Sequence, residues 1–322
     1  MDYTDLNSLD DVKKYAFIFV CQQGRMEIES LLLAASLKRF LRCEYELIAA
    51  IPKPVEIMGI PRKKTLNLLS KMGVKIVDIH NEIIANSSCR DKYYFLTNKM
   101  YCLNIPTNAD KLVHVDSDHL FYKEFGSDKR FSMPMNFVPA GYGGAVVYGG
   151  KFKEIYENMG VEFPTWLIRN KQMQLGTRQE KIAYSPPYVN TRFIAIKTEL
   201  SQKLFNLWTH YFNKLEETKI LYDIHRDHSG QMSFNLAVAK MKIPYEIMFY
   251  MKDDPPPYLH YDARHRQKGS YKASGLAKEL ILEYPEMISI AKRFEDWELI
   301  LRKNVLFSKI KRKIKKKISQ LT

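Results

Sequence analysis

Residues 111–121 read K-L-V-H-V-D-S-D-H-L-F, an apolar run that ends in an acidic pair, Asp116 and Asp118. The run 112–115 suits a buried parallel strand, and open α/β sheets bind ligands at the carboxyl ends of such strands. Because strand side chains alternate, we expect both carboxylates on the same side. Neighbouring carboxylates repel each other unless a cation lies between them, and a hard divalent cation that also holds a diphosphate would do this. The alternative is a pair of solvated aspartates in a turn.

The first half of the chain alternates short apolar runs with segments of helical periodicity. Glycine and proline residues end several of these segments, and the connections between them are short. This alternation predicts a parallel sheet that helices cover on both faces. The predicted strands are 15–21, 47–51, 74–79 and 112–115, and the predicted helices are 26–40, 63–72 and 90–103.

Prolines and glycines become more frequent after Gly126, and the elements are less regular. The predicted strands there are 145–148, 193–196 and 245–251, and the predicted helices are 200–215 and 230–241. We interpret residues 1–300 as one continuous domain with two halves, 1–125 and 126–300, followed by a basic tail at 301–322.

Composition limits the class of protein. A chain of 322 residues that is 46% hydrophobic can bury the core of one large α/β domain or two smaller ones. Its four cysteines have no metal-binding spacing, which is typical of the reduced thiols of a cytosolic protein. The acidic N-terminus does not resemble a signal peptide, and no apolar run approaches the ~20 residues that span a bilayer. These features predict a soluble or peripheral protein.

The net charge of +14 is concentrated at the C-terminus, where nine Lys and Arg residues and no acid follow from Arg302 onwards. Apolar side chains recur there at helical intervals of 3 or 4, and lysines fill the remaining faces. This pattern predicts a basic amphipathic helix that lies on an anionic membrane. The alternatives are a final helix packed on the domain or a nucleic-acid patch. The apolar stripe consists of Phe307, Ile310, Ile314, Ile318 and Leu321.

Four further motifs accompany the acidic pair in chain order. Lys99 lies in T-N-K-M-Y-C-L-N-I-P, and Asn190 lies in Y-V-N-T-R-F-I-A-I. Gln231 lies in G-Q-M-S-F-N, and His260 opens a basic loop, H-Y-D-A-R-H-R-Q-K-G. Together they resemble the GT-A-fold nucleotide-sugar glycosyltransferases, in particular the glycogenin-like and bacterial lipopolysaccharide galactosyltransferase family. The resemblance covers roughly residues 15–269.

The resemblance implies a GT-A-like, Rossmann-related α/β fold, with a mixed, mostly parallel sheet flanked by helices. The half 1–125 would bind the nucleotide and the half 126–300 the acceptor. Asp116, Asp118 and His260 match the metal ligands of the family. Two carboxylates, an imidazole and a diphosphate suit Mn²⁺, with Mg²⁺ as the alternative ion.

The same resemblance assigns residues to the donor. Lys99 and Asp116 match donor-contacting positions, and Lys268 matches the lysine that touches the donor diphosphate. Arg264 and Arg266 are neighbouring candidates, since clustered basic groups in a loop need an anion. Each assignment has an ordinary structural alternative, such as a surface lysine on a helix.

Asn190 and Gln231 match positions that line the transferred sugar and are counted with the catalytic residues. The sequence departs from the family pattern here, because glycine precedes Gln231 and Arg192 replaces an expected glycine. The sugar and the stereochemistry therefore stay open. An inverting enzyme would need a carboxylate base. The candidates are Asp227, which ranks first, Asp223 and Glu27.

These features predict a metal-dependent glycosyltransferase at the cytoplasmic face of a membrane. It would move a sugar from a nucleoside-diphosphate sugar to a glycan or lipid-linked acceptor, in lipopolysaccharide or capsule synthesis. A nucleotidyltransferase or phosphohydrolase is the first alternative, although residues 15–24 contain no Gly-rich phosphate loop. A non-catalytic membrane or nucleic-acid-binding protein is the second, and nucleic acid is not the expected partner.

Overall fold

The computed structural model describes residues 12–86, 92–126, 131, 133–139, 152–163, 189–221, 229–248, 256–260, 271–295 and 297–298. The strands in chain order are β1 Lys14–Val20, β2 Glu44–Lys53, β3 Val74–His80, β4 Lys111–Val115, β5 His119–Phe121, β6 Met135–Pro139, β7 Val189–Lys197, β8 Tyr245–Ile247 and β9 Tyr258–His260. The helices are α1 Met26–Phe40, α2 Val55–Met58, α3 Lys63–Lys71, α4 Glu82–Asn86, α5 Asn98–Cys102, α6 Phe152–Asn158, α7 Thr198–Thr218, α8 Ser229–Met241, α9 Tyr271–Glu283 and α10 Met287–Ala291. A 3₁₀ helix, Lys92–Thr97, precedes α5.

Seven strands form the central sheet in the order β3-β2-β1-β4-β7-β6-β8. Among them only β7 runs against its neighbours, because it pairs antiparallel with β4 and β6 while the other pairs are parallel. A second sheet joins β5 to β9. The predicted mixed, mostly parallel sheet flanked by helices is therefore confirmed.

The alternation of side chains along β1 builds the core on both faces of the sheet. Phe17 and Phe19 pack on one face together with α1, and Ala16 and Ile18 pack on the other face together with α5, α7 and α8. Apolar residues therefore occupy successive positions of β1, as expected of a strand that is covered on both sides. This burial fixes the position of the loop that follows β1, which borders the site described below.

Lys111 begins β4 and is fully buried. Its ammonium donates hydrogen bonds to the backbone oxygens of Phe131 and Met133, each at 2.7 Å, and to Asn136 Oδ1 at 2.5 Å. Three acceptors satisfy the three donors of a lysine. The lysine therefore ties the central strand to the segment that leads into β6.

Several predicted elements differ from the structure. Within the predicted helix 90–103, the structure has a 3₁₀ helix, 92–97, followed by α5, which ends at Cys102. The side chains of Thr97 and Asn98 at this junction bind Asn81 Nδ2 at 2.8 and 2.7 Å. The sequence analysis did not identify β6, a short strand that Pro134 precedes and Pro139 ends. The predicted strand 145–148 and the basic tail lie outside the described residues. Within the described part, no helix is both long and apolar enough to cross a membrane.

Candidate functional site

A cleft of about 240 Å³ opens at the carboxyl ends of β1 and β4. Its walls come from the start of α1, from the segment that leads into α5 and from the turn after β4. The polar side chains that line it are Gln22, Arg25, Glu29, Asn98, Lys99, His114, Asp116, Ser117 and Asp118. The structure therefore brings Lys99 and both members of the acidic pair to one cavity, at the edge of the sheet that the sequence predicted.

Asp116 is the first residue beyond β4, and its backbone N–H continues the pairing with β7 by donating to Arg192 O at 2.9 Å. Its carboxylate accepts two hydrogen bonds from Lys99 Nζ, at 3.0 and 3.2 Å, and one contact from His114 Nε2 at 3.2 Å. Burial opposes the charge, but the Lys99 ammonium and His114 hold the pKa of Asp116 well below its usual range. Asp116 is therefore an ionised carboxylate whose cationic partner also faces the cleft.

Asp118 lies in a turn that the backbone N–H of His119 closes by donating to Asp116 O at 3.2 Å. Strand alternation therefore does not explain why the carboxylates share a side, since β4 already ends at Val115. The turn brings both of them to the same cleft instead. His119 Nδ1 lies 3.2 Å from Asp118 Oδ1, and about a quarter of each carboxylate side chain is exposed, 28% for Asp116 and 26% for Asp118.

His260 lies beside the acidic pair in the fold, although it is far away in the sequence. It ends β9, which pairs antiparallel with β5 so that His260 is the register partner of His119. Its backbone is thus next to the residue that follows Asp118, while its side chain lies outside the described atoms. The other predicted site residues lie outside the described residues; they are Asp223, Asp227, Arg264, Arg266 and Lys268.

Asn190 and Gln231 do not line the described cleft. Asn190 is the second residue of β7, and its Oδ1 accepts a hydrogen bond from the backbone N–H of Arg192 at 2.9 Å, which stabilises the start of the strand. Gln231 lies in the first turn of α8, where its backbone oxygen accepts a bond from Asn235 Nδ2 at 2.8 Å. Their predicted contacts with the sugar remain predictions.

Glu27 does not fit the role of acceptor base. It is 1% exposed, and its carboxylate accepts hydrogen bonds from the backbone N–H of Gly24, from Arg62 and from Thr65 Oγ1. Burial would raise the pKa of Glu27, but these bonds lower it below its ordinary value. A fully bonded carboxylate with a lowered pKa is a poor proton acceptor, so its role is structural.

The sequence analysis missed two pairs of residues that line the cleft or contact the acidic pair. Arg25 Nε binds Glu29 Oε1 at 3.0 Å across one turn of α1, and both side chains line the cavity. His114 and His119 contact the acidic pair from within the core. Their signal was present in V-H-V-D-S-D-H, where a histidine stands on each side of the D-x-D.

Replacing Lys99 with methionine should lower the free energy of unfolding at pH 7 by about 1–3 kcal/mol. The Lys99 side chain is only 14% exposed, and its ammonium neutralises Asp116, which the fold keeps ionised. As the pH falls, Asp116 is protonated in the unfolded chain before it is protonated in the folded chain, because its pKa is lower in the folded chain. Protonation in the unfolded chain occurs near pH 4. The contribution is thus present above pH 4 and should shrink as the pH falls further.

Urea unfolding of wild type and Lys99→Met at pH 7, 5 and 3.5 would measure this difference. Lys153→Met is the matched control, since Lys153 is exposed and pairs with Glu157 on the surface, so its loss should stay within ~0.5 kcal/mol. An equal loss for Lys99→Met at all three pH values would contradict the assignment of the effect to Asp116.

Comparison with known proteins identifies the family. The chain matches the sequence model of the Rhodobacterales glycosyltransferase domain over residues 17–242. Among curated proteins nothing matches it. Similar solved structures include the galactosyltransferase LgtC in complex with donor and acceptor sugar analogues, which is 11% identical in sequence. The match covers 71% of this chain and 72% of that chain, with a TM-score of 0.45. Another is the apo form of mouse xyloside xylosyltransferase 1, with 11% identity, coverages of 73% and 85%, and a TM-score of 0.42.

The family match includes the cleft and every described residue that lines it. It also includes the central strands β1 to β4 and β7, apart from the first residues of β1. Since the matched segment spans more than half of the chain, the protein belongs to the Rhodobacterales glycosyltransferase domain family and is a glycosyltransferase.

Proposed function

We propose that this glycosyltransferase is metal dependent and moves a sugar from a nucleoside-diphosphate sugar to a membrane-associated glycan or lipid-linked acceptor. The observation that carries the proposal is the acidic pair, which faces a cleft at the carboxyl end of the central strand beside Lys99. Such an edge is the usual ligand site of an open α/β sheet. Carboxylates and an ammonium in one cleft suit a ligand that combines a cation with a diphosphate.

The donor set of the cleft fits a hard divalent cation. Asp116 and Asp118 supply carboxylate oxygens, and the β5–β9 pairing brings the backbone of His260 to the same turn. The described side chains alone contain no group of three possible ligands, so we propose His260 and the diphosphate as completing the site. An imidazole among the ligands favours Mn²⁺ over Mg²⁺. A bound cation would offset the negative charge on the departing nucleoside diphosphate.

The residues of the chain have separate roles in this proposal. Asp116 and Asp118 would bind the cation, and the Lys99 ammonium, which contacts Asp116 and lines the cleft, would also contact the diphosphate. Arg264, Arg266 and Lys268 would add charge from the loop that follows β9. We assign Asn190 and Gln231 to the sugar, and Asp227 to the acceptor proton if the reaction inverts configuration.

Thermal unfolding with a panel of nucleoside diphosphates and their sugars, with and without Mn²⁺, tests the proposal. A ligand at a hundred times its dissociation constant should add ~2.7 kcal/mol of apparent stability. We expect a Mn²⁺-dependent shift with the diphosphates of one base, which would also identify the donor nucleotide. No shift with any member would contradict donor binding, and release of pyrophosphate during turnover would favour a nucleotidyltransferase.

We place the enzyme at the cytoplasmic face of a membrane through its basic tail, where it would act in lipopolysaccharide or capsule synthesis. The tail combines nine basic residues with an apolar stripe. Each basic residue near an anionic surface contributes ~1 kcal/mol. Even partial engagement therefore suffices for reversible attachment, which would keep the enzyme close to lipid-linked acceptors.

A chain that ends at Leu301 should lose binding to anionic vesicles and keep its activity on a soluble acceptor. The truncation removes all nine basic residues and the apolar stripe of the tail, and it leaves the residues of the cleft in place. Co-sedimentation with vesicles of anionic and of neutral lipid measures binding, and neutral vesicles are the control. Persistent binding by the truncated chain would contradict the membrane role, and salt-sensitive binding of RNA by the full chain would favour the nucleic-acid alternative.

A further inference from the structure

Two buried histidines, one on each side of the acidic pair in the sequence, contact it. His114 precedes Asp116 by two residues and His119 directly follows Asp118. Each is 1% exposed. Histidine side chains that are this deeply buried require a polar partner, and the described contacts of both lead to the acidic pair.

His114 lies within β4, where its neighbours across the sheet are Ile18 on β1 and Ile194 on β7. Its Nε2 lies 3.2 Å from Asp116 Oδ1. An ionised carboxylate only accepts hydrogen bonds, so Nε2 carries the proton. Its Nδ1 is buried and has no hydrogen-bond partner among the described residues. The ring is therefore held by the sheet and directs a single donor at one carboxylate oxygen.

His119 holds the other end of the turn. Its Nδ1 lies 3.1 Å from the backbone oxygen of Asp116 and 3.2 Å from Asp118 Oδ1. A carbonyl oxygen only accepts, so this nitrogen carries the proton. The ring of Tyr258 on β9 packs against the imidazole, with centroids 4.4 Å apart and planes inclined at 63°. Sheet pairing and this aromatic contact together fix the orientation of the ring.

We propose that His114 and His119 are positioning residues: His114 orients the Asp116 carboxylate, and His119 fixes the turn that carries Asp118, in the arrangement in which the pair binds the cation. The inference rests on the proposed function of the acidic pair. Asp116 and Asp118 repel each other when no cation lies between them, so without these rings their side chains would rotate apart. Groups that orient metal ligands in this way typically change metal affinity by about 10–100-fold when they are removed.

Substitutions that keep or remove the hydrogen-bond donor of each histidine distinguish the positioning role from a role in core packing. His114→Gln and His119→Asn retain an N–H near the original Nε2 and Nδ1 positions, whereas His114→Leu and His119→Leu retain only apolar volume. We expect both leucine variants to bind Mn²⁺ about 10–100-fold more weakly, and the amide variants to stay within about threefold of wild type. Electron paramagnetic resonance of free Mn²⁺, with the full chain and the nucleoside diphosphate that stabilises it, measures these affinities, and thermal unfolding confirms that each variant folds.

A second measurement needs neither metal nor variants. Selective ¹⁵N labelling of the eight histidines reports the protonated nitrogen of each ring, and we expect Nε2–H for His114 and Nδ1–H for His119. Reversed protonation, or leucine variants that bind Mn²⁺ as tightly as wild type, would overturn the proposal. Amide variants that bind Mn²⁺ as weakly as the leucine variants would also overturn the proposal. If wild type binds no Mn²⁺ even with a nucleoside diphosphate present, the proposed function fails, and the tautomers alone then decide whether the rings hold the turn.

Discussion

Replacing Asp118 with alanine should lower kcat/KM for sugar transfer by at least about 1,000-fold at saturating Mn²⁺. Asp118 is one of two carboxylates that face the cleft, and Asp116 is already paired with Lys99 and His114. In the proposed site the cation needs a carboxylate oxygen from each of the two residues. Without Asp118, one carboxylate would remain to hold the cation against the diphosphate charge.

The same substitution should leave the fold as stable as wild type or make it more stable. The pKa of Asp116 is lowered overall, and the nearby charge of Asp118 acts in the opposite direction, as expected of two like charges that repel each other. Removing one of them relieves this repulsion. Loss of transfer together with retained stability is therefore the expected signature of a residue that serves the reaction.

Steady-state kinetics across a Mn²⁺ titration, together with urea unfolding, tests this prediction. The matched control is Asp78→Ala, because Asp78 is an exposed aspartate on β3 that pairs with Lys53 at 3.3 Å, away from the cleft. It should transfer sugar at the wild-type rate. If Asp118→Ala also did so at saturating Mn²⁺, the acidic pair would not be the metal site.

The first half of the fold could be predicted because its signals are local. The predicted helix 26–40 coincides with α1, and the strand predicted at 74–79 differs from β3 by one residue. Apolar runs and helical spacing within each segment determine these elements. The direction of β7 and the pairing of β5 with β9 depend on contacts between distant segments, which no local pattern encodes.

The candidate site shows the same division. The sequence identified Lys99, Asp116 and Asp118, which the structure brings to one cleft. It did not predict that a turn, rather than strand alternation, orients the pair, or that His114 and His119 contact it. Hydrogen-bond partners depend on packing between elements, so motifs locate the residues of a site better than they describe its geometry.

Replacing Glu27 with alanine should destabilise the protein by about 3–5 kcal/mol and show that this residue supports the cleft structurally. The Glu27 carboxylate binds both the Arg62 guanidinium, at 3.0 and 3.1 Å, and Thr65 Oγ1, at 2.5 Å. It also accepts the backbone N–H of Gly24, whose φ of +97° belongs to the turn between β1 and α1. The substitution would leave several of these buried donors without a partner.

A double-mutant cycle can separate the ion pair from the other contacts. The double variant Arg62→Met, Glu27→Ala should lose less unfolding free energy than the sum of the losses of the two single variants, because neither charge is then left unpaired. The matched control is Glu157→Ala, since Glu157 pairs with Lys153 on the exposed face of α6, and its loss should stay within ~0.5 kcal/mol. A Glu27→Ala variant as stable as this control would contradict the structural role.

Glu27→Gln then distinguishes a structural role from a catalytic one. An acceptor base that becomes an amide loses its proton-accepting group, so turnover would fall in a protein that is otherwise stable. We expect the reverse for this buried residue: stability falls, while the turnover of the molecules that remain folded is close to wild type. The turn that Glu27 holds carries Gln22 and Arg25 into the cleft, so any remaining effect should appear in the KM for the donor rather than in kcat.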